Sequence, residues 1–255
     1  MSRSSSRYGW VRDLPDHRDQ IFAAPAAVQA RLPAKVDLRK QCPPVVNQGS
    51  LGSCTANAIA NAHRFDQMKQ KLKAPFMPSR LFIYYNERSM EGTVDSDAGA
   101  QIRDGVKSIA QQGVCEEREW PYEVTKFKKK PPAACYKSAK AHQALTYRRV
   151  VQTTAQMKSC LAAGYPFVCG LSVYESFESP AVAKSGMVPM PGSGEKQLGG
   201  HAVLAVGYDD ASQRFIVMNS WGTGWGKKGF FTIPYAYLAD NNLADDFWTI
   251  STVEA

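Results

Sequence analysis

Three short segments carry the residues that could do chemistry. Cys54 closes the run Gln48-Gly49-Ser50-Leu51-Gly52-Ser53-Cys54; His201 lies in Gly199-Gly200-His201-Ala202; Asn219 opens Asn219-Ser220-Trp221-Gly222. One thiol, one imidazole and two side-chain amides are the parts of a nucleophilic cysteine site. A free thiol is mostly protonated at neutral pH; a helix N-terminus beside an imidazolium favours the thiolate. His201 is then expected to stabilise the thiolate and later to protonate a leaving amine. Asn219 is expected to orient the imidazole through its side-chain carbonyl, with Trp221 shielding that hydrogen bond from water. The Gln48 side-chain amide and the Cys54 backbone N–H are expected to hold the oxyanion formed when a carbonyl is attacked.

The elements that must position these residues follow from periodicity. Ala56, Ile59, Ala62, Phe65, Met68 and Leu72 recur every three or four positions, so a helix is expected from Cys54, with Ser53 as its N-cap and Pro75 beyond its end. Further helices are expected over 100–112, closed by Gly113, and over 154–163, stopped by Gly164. Short strand-like runs follow at 167–173, 202–206, 215–218, 229–233 and 247–250. The chain therefore reads as α+β. Residues 1–34 form a polar extension, 35–145 a mainly helical part with the thiol, and 146–255 a mainly β part with His201 and Asn219.

Composition sets outer limits. The 255 residues, 44% hydrophobic and 21% charged, suit a globular chain with a substantial core. No apolar run approaches the roughly 20 residues of a membrane-spanning helix. Residues 1–7 are positively charged but lack the apolar stretch of a secretory signal, so the compartment stays open between cytoplasm and export. A net charge of +8 allows anionic partners, but the run Lys126-Phe127-Lys128-Lys129-Lys130 lacks a stacking platform for nucleic acid. The six cysteines show no zinc spacing, and neither a metal nor a cofactor is expected. Cys160 and Cys169 read as packed thiols, and a Cys42–Cys115 bridge is the expected disulfide if one forms.

The segments Gln48–Cys54, Gly200-His201-Ala202-Val203 and Asn219-Ser220-Trp221-Gly222-Thr223-Gly224-Trp225-Gly226 together resemble the papain family of cysteine peptidases. Val36-Asp37-Leu38-Arg39 and Trp120-Pro121-Tyr122 extend the resemblance over about residues 35–235. The resemblance implies a papain-like fold, a helical left domain against a β-barrel-like right domain, with thiol and imidazole facing each other across a cleft. It implies a cysteine endopeptidase that acts on protein or peptide substrates through a thiolate–imidazolium pair and a thioester. A transamidase or amidase on the same scaffold, or a catalytically silent binding protein, remains an alternative. Gly99 and Ala100 would line the non-primed wall, while Gly200 and Ala202 would border an apolar specificity pocket with no fixed charge; Trp221 completes the substrate-binding set. Three departures mark a bacterial branch: Thr55 replaces the usual aromatic, Leu51 a disulfide cysteine, and a short extension the long helical propeptide. That extension is expected to lie in or near the cleft.

Overall fold

The computed structural model describes residues 8–254, so the basic run 1–7 lies outside the described residues. In chain order the elements are β1 (Trp10–Val11), α1 (Ala26–Ala30), β2 (Lys35–Asp37), α2 (Cys54–Lys69), α3 (Arg80–Glu91), β3 (Ala100–Gln101) and α4 (Ile102–Gln111). There follow α5 (Ala133–Ala139), β4 (Ala144–Arg149), α6 (Thr154–Ala162), β5 (Phe167–Tyr174) and α7 (Pro180–Ser185). The chain ends with β6 (Gln197–Asp209), β7 (Arg214–Met218), β8 (Phe230–Pro234), α8 (Tyr235–Ala239) and β9 (Ala244–Val253).

One seven-stranded sheet runs β4-β9-β5-β6-β7-β8, with β2 added antiparallel to β6. Its path ends at β4 and β8, which do not pair among the described residues; the sheet is open rather than a closed barrel. β2 belongs to this sheet although it lies in the helix-rich half of the sequence.

Helix α2 packs against β6 and β9 and is buried on nearly every side. Its polar positions Asn57, Asn61, His63 and Asp66 are inside together with Ile59 and Phe65, so the apolar stripe understates how central it is. Ser53 stands before it but does not cap it; the Ser53 hydroxyl lies 2.5 Å from the Tyr122 hydroxyl and accepts from Asn57 Nδ2 at 3.1 Å. The helix expected from residue 100 starts at Ile102, because Ala100 and Gln101 pair as β3 with β1.

Helix α3 carries a signal that the apolar periodicity did not expose. Ser79 accepts from the Phe82 amide, and Gly92 ends the helix at φ 71°. Its buried Arg88 donates to the carbonyls of Tyr84, Val94 and Ser96, tying α3 to the loop that leads to β3. All six cysteines are free thiols, so Cys42 and Cys115 do not pair. Cys42 donates to the Leu38 carbonyl at 3.4 Å, whereas Cys115 is buried beside Cys135.

Candidate active site

Cys54 is the first residue of α2, and His201 is on β6, against which that helix packs. Asn219 follows the end of β7, where its amide donates to Gly229. The sulfur of Cys54 lies close to the backbone N–H groups of Ala202, Thr55 and Gly9, each of which pulls the thiol pKa down. The thiol therefore lies against the strand residue next to His201.

The imidazole is held from one side. Its Nε2 lies 2.8 Å from Asn219 Oδ1, and its Nδ1 is buried with no hydrogen-bond partner among the described residues. Trp221 stacks on the ring at 4.7 Å between centroids and is itself buried. Phe177 and Trp225 pack on that indole, and Phe231 packs on both of them, so Trp221 forms a wall behind the imidazole.

Ser220 ties the two amides together, a role that its place between Asn219 and Trp221 does not announce. Its backbone N–H donates to Asn219 Oδ1 at 2.8 Å, its hydroxyl to Gln48 Oε1 at 2.6 Å, and its carbonyl accepts from the Gln48 amide at 2.8 Å. Gln48 Nε2 also donates to the Leu51 carbonyl at 2.9 Å. The loop before α2 and the end of β7 thus form one hydrogen-bonded unit. Below it, Thr55 donates to the buried Glu87 carboxyl at 2.6 Å, which gives the residue after Cys54 a polar partner on α3.

Residues 8–10 of the extension pack against the residues around Cys54 and His201. The Gly9 carbonyl accepts from the Ala100 amide at 2.7 Å, and Trp10 pairs in parallel register with Ala100. Gly9 passes so close to Gly52 that a Cβ there would meet the Gly52 carbonyl oxygen at 1.7 Å; only glycine fits. Tyr8 lies edge-on to His201, 6.5 Å between centroids. Gly99 faces Gly9, and Gly200 faces Trp10. Ala202 is buried and offers its amide to the sulfur. Downstream, Arg103 and Asp19 form a buried ion pair at 2.6 Å, and Phe22 donates its amide to the Arg149 carbonyl at 2.8 Å.

Covering the cleft changes its protonation. Cys54 and His201 are both 0% exposed. Burial pushes the Cys54 thiol up to about 11, against the pull of its three amide donors. Burial pulls His201 down to about 4, although Asn219 favours its protonated form. Burial thus opposes the charged form of both groups in the covered site. A helix terminus and an imidazole lower a thiol's pKa where water or a counter-charge supports the thiolate; here the sulfur is fully buried, with Gly9 beside it.

The recess beside Gly200 also departs from expectation. Asp246 lies at its floor, with φ 58° at a bulge in β9, where three β9 steps oppose two on β5. A carboxyl group therefore lines the recess that the Trp10 ring fills.

This fold agrees with the comparisons to known proteins. The papain family cysteine protease model matches residues 32–245, and the chain belongs to that family. It is similar to xylellain, a cysteine protease from Xylella fastidiosa: 45% identity, TM-score 0.93, covering 98% of this chain and 97% of that one. It is 44% identical to an uncharacterised peptidase C1-like protein of Acanthamoeba polyphaga mimivirus, over 99% of this chain and 89% of the relative. Mouse cathepsin K is 30% identical over 84% of this chain and 61% of its own length. The protein is a cysteine endopeptidase, a thiol hydrolase acting on protein or peptide substrates.

Proposed function

We propose that Cys54 is the nucleophile of this endopeptidase, that His201, Asn219 and Gln48 serve it, and that residues 8–13 keep it idle by filling the cleft. The reading rests on one observation: Asn219 pins Nε2 of His201, while Nδ1 is buried and unpartnered beside the strand amide that reaches the sulfur.

When the extension lifts away, water returns and the proton moves from sulfur to Nδ1. The thiolate attacks the peptide carbonyl carbon, and the C–O π electrons move onto oxygen. The Cys54 backbone N–H and the Gln48 side-chain amide receive that oxyanion. As the C–N bond breaks, Nδ1–H gives its proton to the departing amine, leaving a thioester on Cys54. His201 then takes a proton from water, the hydroxide adds to the thioester carbon, and the C–S bond breaks to release the acid. Asn219 holds the ring in one orientation through both half-reactions, and Ser220 fixes Asn219 to Gln48.

The test is a peptide-library cleavage profile of the wild type beside Cys54→Ala, with and without an added amine. Hydrolysis products from the wild type and none from Cys54→Ala are expected. Undiminished cleavage by Cys54→Ala would overturn the assignment, and amide products in the presence of amine would make the enzyme a transamidase.

A further inference from the structure

We propose that Arg80 and Tyr122 are positioning residues for this reaction: they fix the two peptide units that flank Gln48, from the ends that Ser220 does not reach, and so set where its side-chain amide stands. This inference rests on the reading of Gln48 as an oxyanion donor and adds what holds that donor in place.

An amide helps an oxyanion only if it stands in place before the charge develops. Gln48 lies in the loop before α2, outside every helix and named strand, so its backbone needs other supports. Both peptide units flanking its Cα are gripped at each end. In the first, the Asn47 carbonyl accepts from Arg80 Nη1 at 3.2 Å, while the Gln48 N–H donates to the Ser220 carbonyl at 2.8 Å. In the second, the Gln48 carbonyl accepts from the Tyr122 hydroxyl at 2.9 Å, while the Gly49 N–H donates to Asn47 Oδ1 at 3.0 Å. A trans peptide is planar, with its C=O and N–H pointing opposite ways; held through both, it cannot swing. Two fixed planes set the direction of the Gln48 side chain.

Arg80 holds both grips together. It is the first residue of α3 and is buried. Glu117 takes its Nε and Nη2, each at 2.7 Å, as a two-pronged pair. Nη1 then serves the Asn47 carbonyl and, at 3.0 Å, Asn57 Oδ1. The guanidinium carbon lies 3.9 Å from the centre of the Tyr122 ring, which orients the phenol. Because Tyr122 gives its proton to the Gln48 carbonyl, the Ser53 hydroxyl 2.5 Å away must donate to Tyr122, and Asn57 Nδ2 donates to Ser53 Oγ at 3.1 Å. Arg80, Asn57, Ser53 and Tyr122 form a closed circuit that joins the Gln48 loop, the first turn of α2 and the start of α3. The segment bearing Tyr122 is fastened to α3 as well, since Ser79 Oγ donates to the Trp120 carbonyl at 2.7 Å. Lysine at position 80 would keep the charge but lose the fork and the stacking plane.

The kinetic variants are made in the full-length Gly9→Ala protein, where a Cβ 1.7 Å from the Gly52 carbonyl oxygen forces residues 8–11 off the site. Tyr122→Phe removes one hydroxyl and keeps the ring; Arg80→Lys removes the fork. Each is expected to lower kcat on a fluorogenic peptide by about 3- to 10-fold with KM unchanged within about 2-fold. In Gln48→Ala the same substitutions should change kcat by less than about 1.5-fold, since no side-chain donor is left to misplace. Equal factors with and without the Gln48 side chain overturn the proposal, because a merely structural contact weakens both alike. If Gln48→Ala alone leaves kcat unchanged, the oxyanion assignment falls and the positioning role with it; if Gln48→Ala lowers kcat but the factors are equal, only the positioning role falls. A second measurement needs no turnover. In the otherwise wild-type chain, amide hydrogen exchange is expected to quicken at least about 10-fold at Gln48 in Arg80→Lys and at Gly49 in Tyr122→Phe. Unchanged exchange in both variants overturns the proposal, whether or not the Gly9→Ala proteins are active.

Discussion

Gly9→Ala should wake the thiol. The new Cβ would sit 1.7 Å from the Gly52 carbonyl oxygen, on backbone that cannot yield, so residues 8–11 must lift. The rest of the extension stays tied by the Asp19–Arg103 pair and the Phe22 amide, which makes the change local. In the covered state the thiol lies near 11, leaving roughly one molecule in 10⁴ as thiolate at pH 7. With water restored and a reference value of about 8.5, that fraction is about 3%, a gain of roughly 300-fold before any help from the imidazole. Iodoacetamide labelling, followed by intact mass and mapped to Cys54, should therefore be at least about 100-fold faster in Gly9→Ala at pH 7. Equal rates in the two proteins would refute the reasoning, provided limited proteolysis shows that residues 8–11 have lifted.

Three further outcomes are expected. Gln48→Ala, measured in the Gly9→Ala background, should lower kcat by about 10- to 1,000-fold with little change in KM, as for loss of an oxyanion donor; a pure KM effect would assign Gln48 to substrate binding. Ser220→Ala cuts the hydroxyl bond to Gln48 but keeps the backbone bond to Asn219, so it should lower kcat by about 3- to 10-fold and leave the His201-dependent pH profile in place. The third concerns Asp13, whose carboxyl burial and nearby Asp246 push up to about 7. A raised carboxyl favours the protonated, seated state, so its contribution to the seal is full below about 4 and is lost as pH rises toward 7. His201, pulled down to about 4, acts in the opposite sense, because its protonation below about 6.5 favours opening. Proteolytic nicking of the extension in wild type beside Asp13→Asn isolates the carboxyl: wild type should loosen more between pH 4 and 7 than the variant, and identical profiles would remove Asp13 from the seal.

How much was legible in the sequence differs by residue, for physical reasons. Motif order grouped Cys54, His201, Asn219 and Gln48, because each is held by a short local pattern: a helix start, a strand and a tight turn after β7. The long helix from Cys54 was readable from its periodicity, but its burial on all sides was not. That depends on β6 and β9 packing against it from far along the chain. Helix α3 was passed over because its start rests on one capping hydroxyl, and its polar residues Glu87 and Arg88 point inward, against the usual pattern. Asp246 was unreadable as a pocket floor, since a one-residue bulge decides which way it faces. The shift of Cys54 upward rather than downward follows from its complete burial, which no local pattern encodes. The Cys42–Cys115 pairing failed because spacing says nothing of distance in space.

The central claim is that the sulfur of Cys54 carries the acyl group between the two half-reactions. The direct measurement mixes the full-length Gly9→Ala protein with an activated peptide ester, quenches in acid within milliseconds, and maps the mass adduct by fragmentation. The account predicts one acyl group, on the peptide that contains Cys54, absent from Cys54→Ala and decaying at the rate of product formation. Turnover with the adduct on another residue, or with none formed and Cys54→Ala still active, would contradict it.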